Sequence, residues 1–213
     1  MEGGYKKFKS PKKEYSDFKT TARPKSPSPK RKDFEKVAVR TSNKHSRCTY
    51  IHPSTDKRCK LMLGKYPKFC YLHTMLIENL YIDNSNIKNG GNGLFAGPMG
   101  FKKGDIIGEY SMPWMKVKSG QVDRRNKGHP DTSYLFCDYP KRGQKEEDAQ
   151  CWDGLDIRST IVRYANDAHG SKFKNNSEFS TVKSKTGNHV YMVAKQKIAP
   201  FDEIFCTYGE DYW

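Results

Sequence analysis

The sequence predicts a mainly β domain, preceded by a small metal-bound module and by a disordered basic tail. Three observations lead to this prediction. From residue 87 onward, short runs of β-forming residues alternate with turns that contain glycine or proline. Ahead of them, three cysteines and one histidine have the spacing of metal ligands. The first 45 residues are rich in Lys, Ser and Pro. The predicted boundaries are 1–45 for the tail, 46–80 for the module and 81–213 for the β domain.

The tail holds most of the net charge. Residues 1–47 contain 15 Lys and Arg against five Asp and Glu, a net +10 of the +15 that the 213 residues carry. So few aliphatic residues cannot offset the entropy of ordering, which predicts disorder. The clustering of charge indicates a nucleic-acid partner. Residues 10–13 (SPKK) and 28–31 (SPKR) resemble linker-histone elements that favour the narrow minor groove; a generic basic tail explains them equally well.

The sequence shows no membrane or secretion signal. No stretch approaches the roughly 20 apolar residues that a membrane span needs, and the polar N-terminus lacks the apolar region of a signal peptide. We therefore expect no membrane contact, an intracellular reducing compartment and no disulfides. Cys137 and Cys151 have no metal partners at a useful spacing, so we interpret them as structural residues.

The module carries a candidate zinc site. Zinc takes four soft or borderline ligands, and a close C-x2-H pair is a usual chelate, whereas the long gaps require a loop that the metal closes. The candidate ligands are Cys48, Cys59, Cys70 and His73. Three buried or free thiols are the alternative, and His45 and His52 are possible substitute ligands. The pattern resembles short Cys3His fingers of some plant transcription regulators and chromatin-remodelling subunits. A short helix is predicted over residues 74–80.

Three blocks in the β domain carry information through their order. They are residues 91–96 (GNGLFA), 163–168 (RYANDA) and 203–209 (EIFCTYG). The first does not open a phosphate-binding helix, because Gly97 and Pro98 end the short strand that follows and a third glycine is missing. A glycine bend between strands lets the backbone approach a ligand closely.

From about residue 87 to residue 213, the chain resembles the SET-domain protein lysine methyltransferases. The three blocks resemble, in order, that family's G-x-G-[LVW]-[FG]-A, R-[FY]-[IA]-N-H-S and E-L-x-Y-D-Y-G segments. Residues 104–110 (GDIIGEY) and 134–136 (YLF) resemble two of its strands. The resemblance implies a SET fold of several small sheets with a C-terminal pseudoknot. Asp167 stands where most members carry His, and Cys206 replaces a frequent aromatic residue. No cysteine follows Cys206, so a cysteine-rich post-SET zinc segment is missing from this sequence.

The resemblance also implies residue roles. The cofactor would be S-adenosylmethionine, and the reaction would be methyl transfer to a lysine ε-amine. Tyr208 would orient the amine and Tyr110 would line the lysine channel, together with Phe179 and Cys206. The expected cofactor-binding residues are Gly93, Leu94, Tyr134, Arg163, Asn166, Asp167 and Trp213, of which Trp213 would stack on the adenine in place of a post-SET segment. The small Cys206 side chain and the absence of a hydroxyl on Phe179 both predict di- or trimethylation.

The chemistry requires a neutral amine, whereas free lysine has a pKa of roughly 10.4. Burial in a narrow aromatic channel favours the neutral form.

The expected substrate is a histone tail or another lysine-rich protein, in the nucleus or another DNA-containing compartment, including a viral replication site. Two alternatives remain open from the sequence: a catalytically weak SET fold that binds DNA or chromatin, and a methyltransferase of non-histone lysines, including those of its own tail. The oligomeric state is not predicted.

Overall fold

The computed structural model describes residues 43–110, 116–118, 134–138, 150–156, 158–184 and 187–209. These residues all belong to one unit, Ala38–Trp213. Residues 1–42 of the predicted tail and Trp213 lie outside the described residues, so the disorder of the tail and the role of Trp213 stay predictions. Among the helices of the described ranges, none has the length and apolar character that crossing a membrane requires.

The N-terminal module consists of two short hairpin-like pairs and one helix. Strand β1 (Asn43–Arg47) pairs with β4 (Met62–Gly64), and β2 (Ile51–His52) pairs with β3 (Lys57–Arg58). Strand β1 therefore includes residues 43–45, which the sequence prediction places in the tail. Helix α1 spans Tyr71–Ile77, three residues before the predicted 74–80. It begins early because Cys70 adopts an extended conformation as its N-cap, and the chain leaves it at Asn79, where φ is +55°.

The rest of the described chain is built from short strands. In chain order they are β5 (Leu80–Asn84), β6 (Asn92–Ala96), β7 (Ile106–Glu109), β8 (Lys116–Lys118), β9 (Leu135–Asp138), β10 (Gln150–Asp153), β11 (Ser177–Ser184), β12 (Gly187–Ala194) and β13 (Glu203–Ile204), with a 3-10 helix at Ile161–Tyr164 between β10 and β11. They form three sheets of three strands, in the orders β13-β6-β5, β11-β12-β7 and β8-β10-β9. The fold is therefore mainly β and built of small sheets, as the sequence predicts.

One apolar core joins the sheets and the module. Leu80, Leu94 and Trp152 are among its fully buried side chains. Tyr66 of the module belongs to the same core, and its hydroxyl accepts a hydrogen bond from the backbone N–H of Ile82 at 3.1 Å. The module is thus packed directly onto the first sheet of the domain.

The C-terminal segment is inserted between two earlier segments. Phe205 forms a parallel bridge with Asn166, and Cys206 forms one with Ser177. The Cys206 N–H donates to the Asn166 carbonyl at 2.9 Å, and the Phe205 carbonyl accepts from the N–H groups of Asn176 and Ser177. Hydrogen bonding on both sides is the arrangement that the predicted pseudoknot requires. It brings the third sequence block against the second.

The prediction of no disulfides is wrong for one pair. Cys137 and Cys151 lie opposite each other on the antiparallel strands β9 and β10, and their sulfur atoms are bonded. The two cysteines are 14 residues apart in sequence, so the register that makes them neighbours is invisible before the strands are paired. The interpretation of both residues as structural agrees with this position.

Candidate active site and metal centre

The four predicted metal ligands come together. One ligand atom from each of Cys48, Cys59, Cys70 and His73 lies within 4.8 Å of all the others, and all four residues are buried. The His73 Nδ1 atom is 3.2 Å from the Cys70 sulfur and 3.5 Å from the Cys48 sulfur. Three thiolates and one imidazole form a Cys3His donor set, which fits a structural zinc ion. His52 is not part of this set, and the side chain of His45 lies outside the described residues.

Two arginines hold the backbone around this cluster. The Arg58 Nε atom donates to the Cys48 carbonyl at 2.7 Å, and Arg47 donates to the Cys59 carbonyl at 3.1 Å. The ring of Tyr50 stacks on that of His73 with 3.9 Å between centroids. These contacts fix the loops that carry the ligands. These contacts cannot be predicted from the sequence, because arginines in a basic segment resemble solvated charges.

A cavity of about 330 Å³ lies in the β domain, where the second and third sequence blocks meet. Five of the predicted site residues line it, namely Tyr110, Tyr134, Arg163, Phe179 and Tyr208. Other lining residues were not singled out from the sequence as site residues: Leu135, Phe136, Val162, Ala165, Glu178, Thr207 and Gly209. The walls are mostly aromatic and aliphatic, which favours a ligand with an apolar stem.

Tyr208 is fixed at both ends. Its hydroxyl donates to the Ala165 carbonyl at 3.0 Å, and its backbone N–H donates to the Asp167 carboxylate at 2.7 Å. Both partners belong to the second sequence block, so this one segment sets the position of the ring.

Tyr110 and two phenylalanines form an aromatic wall. The Phe179 ring packs edge-on against Tyr110 at 5.3 Å and against Phe136 at 5.0 Å between centroids. The Tyr110 hydroxyl donates to the Tyr134 carbonyl. Burial raises the pKa of Tyr110 far above its ordinary value, so this tyrosine stays a neutral hydroxyl at any physiological pH.

Arg163 brings a positive charge to the same cavity. Its guanidinium stacks on the Tyr134 ring at 4.0 Å and donates to the Leu155 carbonyl at 3.1 Å. Its Nε atom is buried without a hydrogen-bond partner among the described residues. A buried donor without an acceptor is costly, so the site favours a ligand that supplies one. Aromatic faces also attract a ligand cation such as a sulfonium. The residues present therefore fit S-adenosylmethionine, which has both a carboxylate and a sulfonium.

The glycine block is held by two polar side chains. Asn166 donates to the carbonyls of Gly90 and Asn92, at 3.3 and 3.0 Å. Glu203 is buried, and its carboxylate accepts from the Ser85 hydroxyl at 2.6 Å and from the Asn86 N–H at 2.7 Å. Glu203 also pairs with Phe95 between β13 and β6, which joins the third block to the first. It was not singled out from the sequence as a site residue.

Four of the predicted cofactor-binding residues, Gly93, Leu94, Asn166 and Asp167, do not line the cavity. Leu94 is fully buried in the central strand of its sheet, and Asp167 is buried against Tyr208. Their contacts to a cofactor stay predictions.

Cys206 lies behind the lining of the cavity, and its role in the lysine channel stays a prediction. Its side chain is fully buried in the core and does not line the cavity, and burial raises the pKa of its thiol to about 12. The reason is its pairing, because the backbone on both sides of Cys206 is engaged and its side chain faces inward.

Position 93 requires a glycine because the Glu203 carboxylate fills the space beside it. A Cβ atom at this position would overlap the Glu203 Oε1 atom. We expect Gly93→Ala to displace that carboxylate, to destabilise the fold by about 1–3 kcal/mol and to weaken S-adenosylhomocysteine binding, as measured by denaturation and calorimetry. Gly91→Asn is the matched control: its site has φ +62° and no atom within 4 Å of a Cβ, and asparagine tolerates that conformation. Equal effects of the two variants would contradict this role of Gly93.

The profile of the SET domain matches residues 91–209, more than half of the chain. The chain belongs to the SET-domain family. The match includes all three ordered blocks and the lining of the cavity, so the family prediction made from the sequence is confirmed.

Several solved structures resemble this SET domain. They include the polycomb repressive complex 2 of Chaetomium thermophilum (21% identity, TM-score 0.49), ATXR5 in complex with a histone (16%, 0.48) and CpSET8 from Cryptosporidium (16%, 0.45). Each match covers 62% of this chain, but only 15% of the first protein's chain and 57% of the other two. No curated protein sequence matches the chain.

Proposed function

We propose that this SET-domain protein is an S-adenosylmethionine-dependent protein-lysine N-methyltransferase that acts on histone or other chromatin-associated lysines. The observation that carries the proposal is the aromatic cavity in which Tyr208, Tyr110 and Phe179 meet. A narrow apolar cavity accepts the aliphatic stem of a lysine and disfavours the charged ammonium at its end. Family membership supports the same reaction.

Bound S-adenosylmethionine would supply a methyl group from its sulfonium. The chain would hold S-adenosylmethionine with Tyr134 and Arg163 at the cavity and with the loop that Asn166 and Glu203 position. Positioning is the main contribution that a protein can make to such a displacement, since donor and acceptor must be collinear and close.

Tyr208 would orient the substrate amine. Its hydroxyl proton is committed to the Ala165 carbonyl at 3.0 Å, so the same oxygen can act only as an acceptor toward an amine N–H. Accepting from the amine directs the nitrogen lone pair toward the methyl donor. Tyr110 would shape the channel and would not remove a proton, because burial raises its pKa.

The substrate proposal draws on the solved relatives. ATXR5 is seen in complex with a histone, and a lysine-rich histone tail also suits the cavity. Phe179 and Phe136 have no hydroxyl that would fix a water molecule beside the amine. We therefore propose di- or trimethylation on the basis of these rings.

The test of the function is methyl transfer itself. The full chain is incubated with labelled S-adenosylmethionine and with core histones, nucleosomes or non-histone lysine-rich protein, and mass spectrometry locates the modified lysine and counts its methyl groups. Label on histone lysine, with di- or trimethyl product at long times, supports the proposal. Cofactor binding without transfer to any substrate would contradict it and would favour a catalytically weak chromatin-binding protein.

Nucleic acid is the second proposed partner, in the nucleus or another DNA-containing compartment. Lys57, Lys60 and Lys68 of the metal module are exposed, and the basic tail precedes it.

We expect deletion of residues 1–42, which keeps β1 intact, to weaken DNA binding and to flatten the dependence of log K on log salt, because fewer counterions are released. Fluorescence anisotropy over a salt series measures this slope. The double variant Lys57→Gln with Lys60→Gln, in the full chain, measures the contribution of the module separately. An unchanged slope after deletion of residues 1–42 would mean that the tail does not contact phosphate.

A further inference from the structure

The carboxylate of Asp167 accepts hydrogen bonds from at least three donors. Its Oδ2 atom accepts from the Tyr208 N–H at 2.7 Å, and its Oδ1 atom accepts from the His169 N–H at 3.0 Å and from the Asn175 side-chain amide at 2.8 Å. The residue is 7% exposed, so these bonds form away from bulk water. Charge-assisted bonds of this kind are among the stronger ones in proteins.

A carboxylate is required by this set of donors. An aspartate can accept at both oxygens, whereas an asparagine has one acceptor oxygen and would turn its own N–H groups toward a donor. A neutral histidine ring has one acceptor nitrogen. The replacement of the family's usual His by Asp167 therefore has a structural counterpart: donors from three places in the chain converge on one side chain.

We propose that the carboxylate of Asp167 positions Tyr208. The carboxylate holds the Tyr208 backbone, while the Ala165 carbonyl, two residues away in the same segment, holds its hydroxyl at 3.0 Å. With both ends attached to one segment, the ring keeps a fixed distance from the cavity wall. The catalytic part of this inference rests on the proposed function, since Tyr208 is expected to orient the amine.

The first test is Asp167→Asn in the full chain, with S-adenosylhomocysteine as the binding probe. We expect kcat to fall by roughly 10- to 100-fold, with the dissociation constant of S-adenosylhomocysteine changed by less than about twofold. In a Tyr208→Phe background the same substitution should have little further effect on kcat, because residues that act as a unit are not additive. A purely structural role would lower activity in both backgrounds.

Hydrogen exchange gives a readout that does not need activity. Loss of the bond to Asp167 should accelerate exchange at the Tyr208 amide in Asp167→Asn, measured by mass spectrometry on peptides that contain it. If the wild-type protein transfers no methyl group, the proposed function fails, yet faster exchange would still support the contact. Unchanged exchange, unchanged kcat in an active enzyme, or a loss of S-adenosylhomocysteine affinity that matches the loss of kcat/KM would each overturn the inference.

A second variant covers the case in which Asp167→Asn does not fold. Asn175→Asp keeps the oxygen that accepts from the Ala168 N–H at 2.9 Å but faces Asp167 with a second carboxylate in place of a donor. We expect faster exchange at Tyr208 and a smaller fall in kcat. Wild-type values for both quantities would overturn the proposal.

Discussion

Tyr208→Phe should reduce the turnover of methyl transfer by about 100-fold or more, because one positioning group is lost from the reacting centre. The substitution keeps the ring that lines the cavity and removes only the hydroxyl that contacts the Ala165 carbonyl. Binding of S-adenosylhomocysteine should change little. Single-turnover kinetics with labelled S-adenosylmethionine, together with calorimetry, separate the two effects.

Tyr191→Phe is the matched control for this substitution. Tyr191 lies on β12, outside the lining of the cavity, so removal of its hydroxyl should leave turnover near the wild-type value. A Tyr208→Phe enzyme as fast as the Tyr191→Phe enzyme would show that Tyr208 has no part in orienting the amine.

Loss of the metal should have the second large effect. We expect about one zinc ion per chain, since the four donor atoms that a structural zinc site needs lie within 4.8 Å of one another. Cys59→Ser with Cys70→Ser should abolish zinc binding and unfold the module, because a segment this small has little apolar core of its own. Elemental analysis of the purified protein and thermal denaturation with and without a chelator measure both outcomes.

The metal should also matter for the active site. Lys65 of the module donates to the Asn92 side chain at 3.0 Å, next to Gly93, and its carbonyl accepts from the Tyr164 hydroxyl at 3.2 Å. Removal of zinc should therefore lower methyl transfer as well as stability. Cys206→Ser is the control for metal content, because this buried cysteine lies outside the cluster. Zinc retained by the double variant at the wild-type ratio would refute the site.

The metal ligands and the aromatic cavity could be predicted because their signals are chemical and ordered. The spacing of Cys70 and His73 matches a chelate by itself. Tyr110 and Tyr208 belong to blocks that occur in the order of one family. No single block would have been sufficient, since each short motif occurs by chance in unrelated proteins.

The contacts that hold the site could not be predicted, because they join residues far apart in the chain. Glu203 reaches the Asn86 N–H across 117 positions, and Asp167 reaches the Tyr208 N–H across 41. Neither distance leaves a periodic pattern in the sequence. The burial of Cys206 could not be predicted for a related reason. The direction of its side chain is decided by bridges to two other segments, and a motif carries no information about them.

The insertion of the C-terminal segment has a consequence for synthesis on the ribosome. Tyr208 must reach Asp167, which leaves the ribosome 41 residues earlier, a delay of roughly two to eight seconds at about 5–20 residues per second. During that interval residues 205 and 206 are not yet in place. The Asn166 carbonyl then lacks the Cys206 N–H, and the Asn176 and Ser177 N–H groups lack the Phe205 carbonyl. Unpaired strand edges are sites at which another chain can pair. We therefore expect the nascent chain to be prone to aggregation until residues 205 and 206 are inserted.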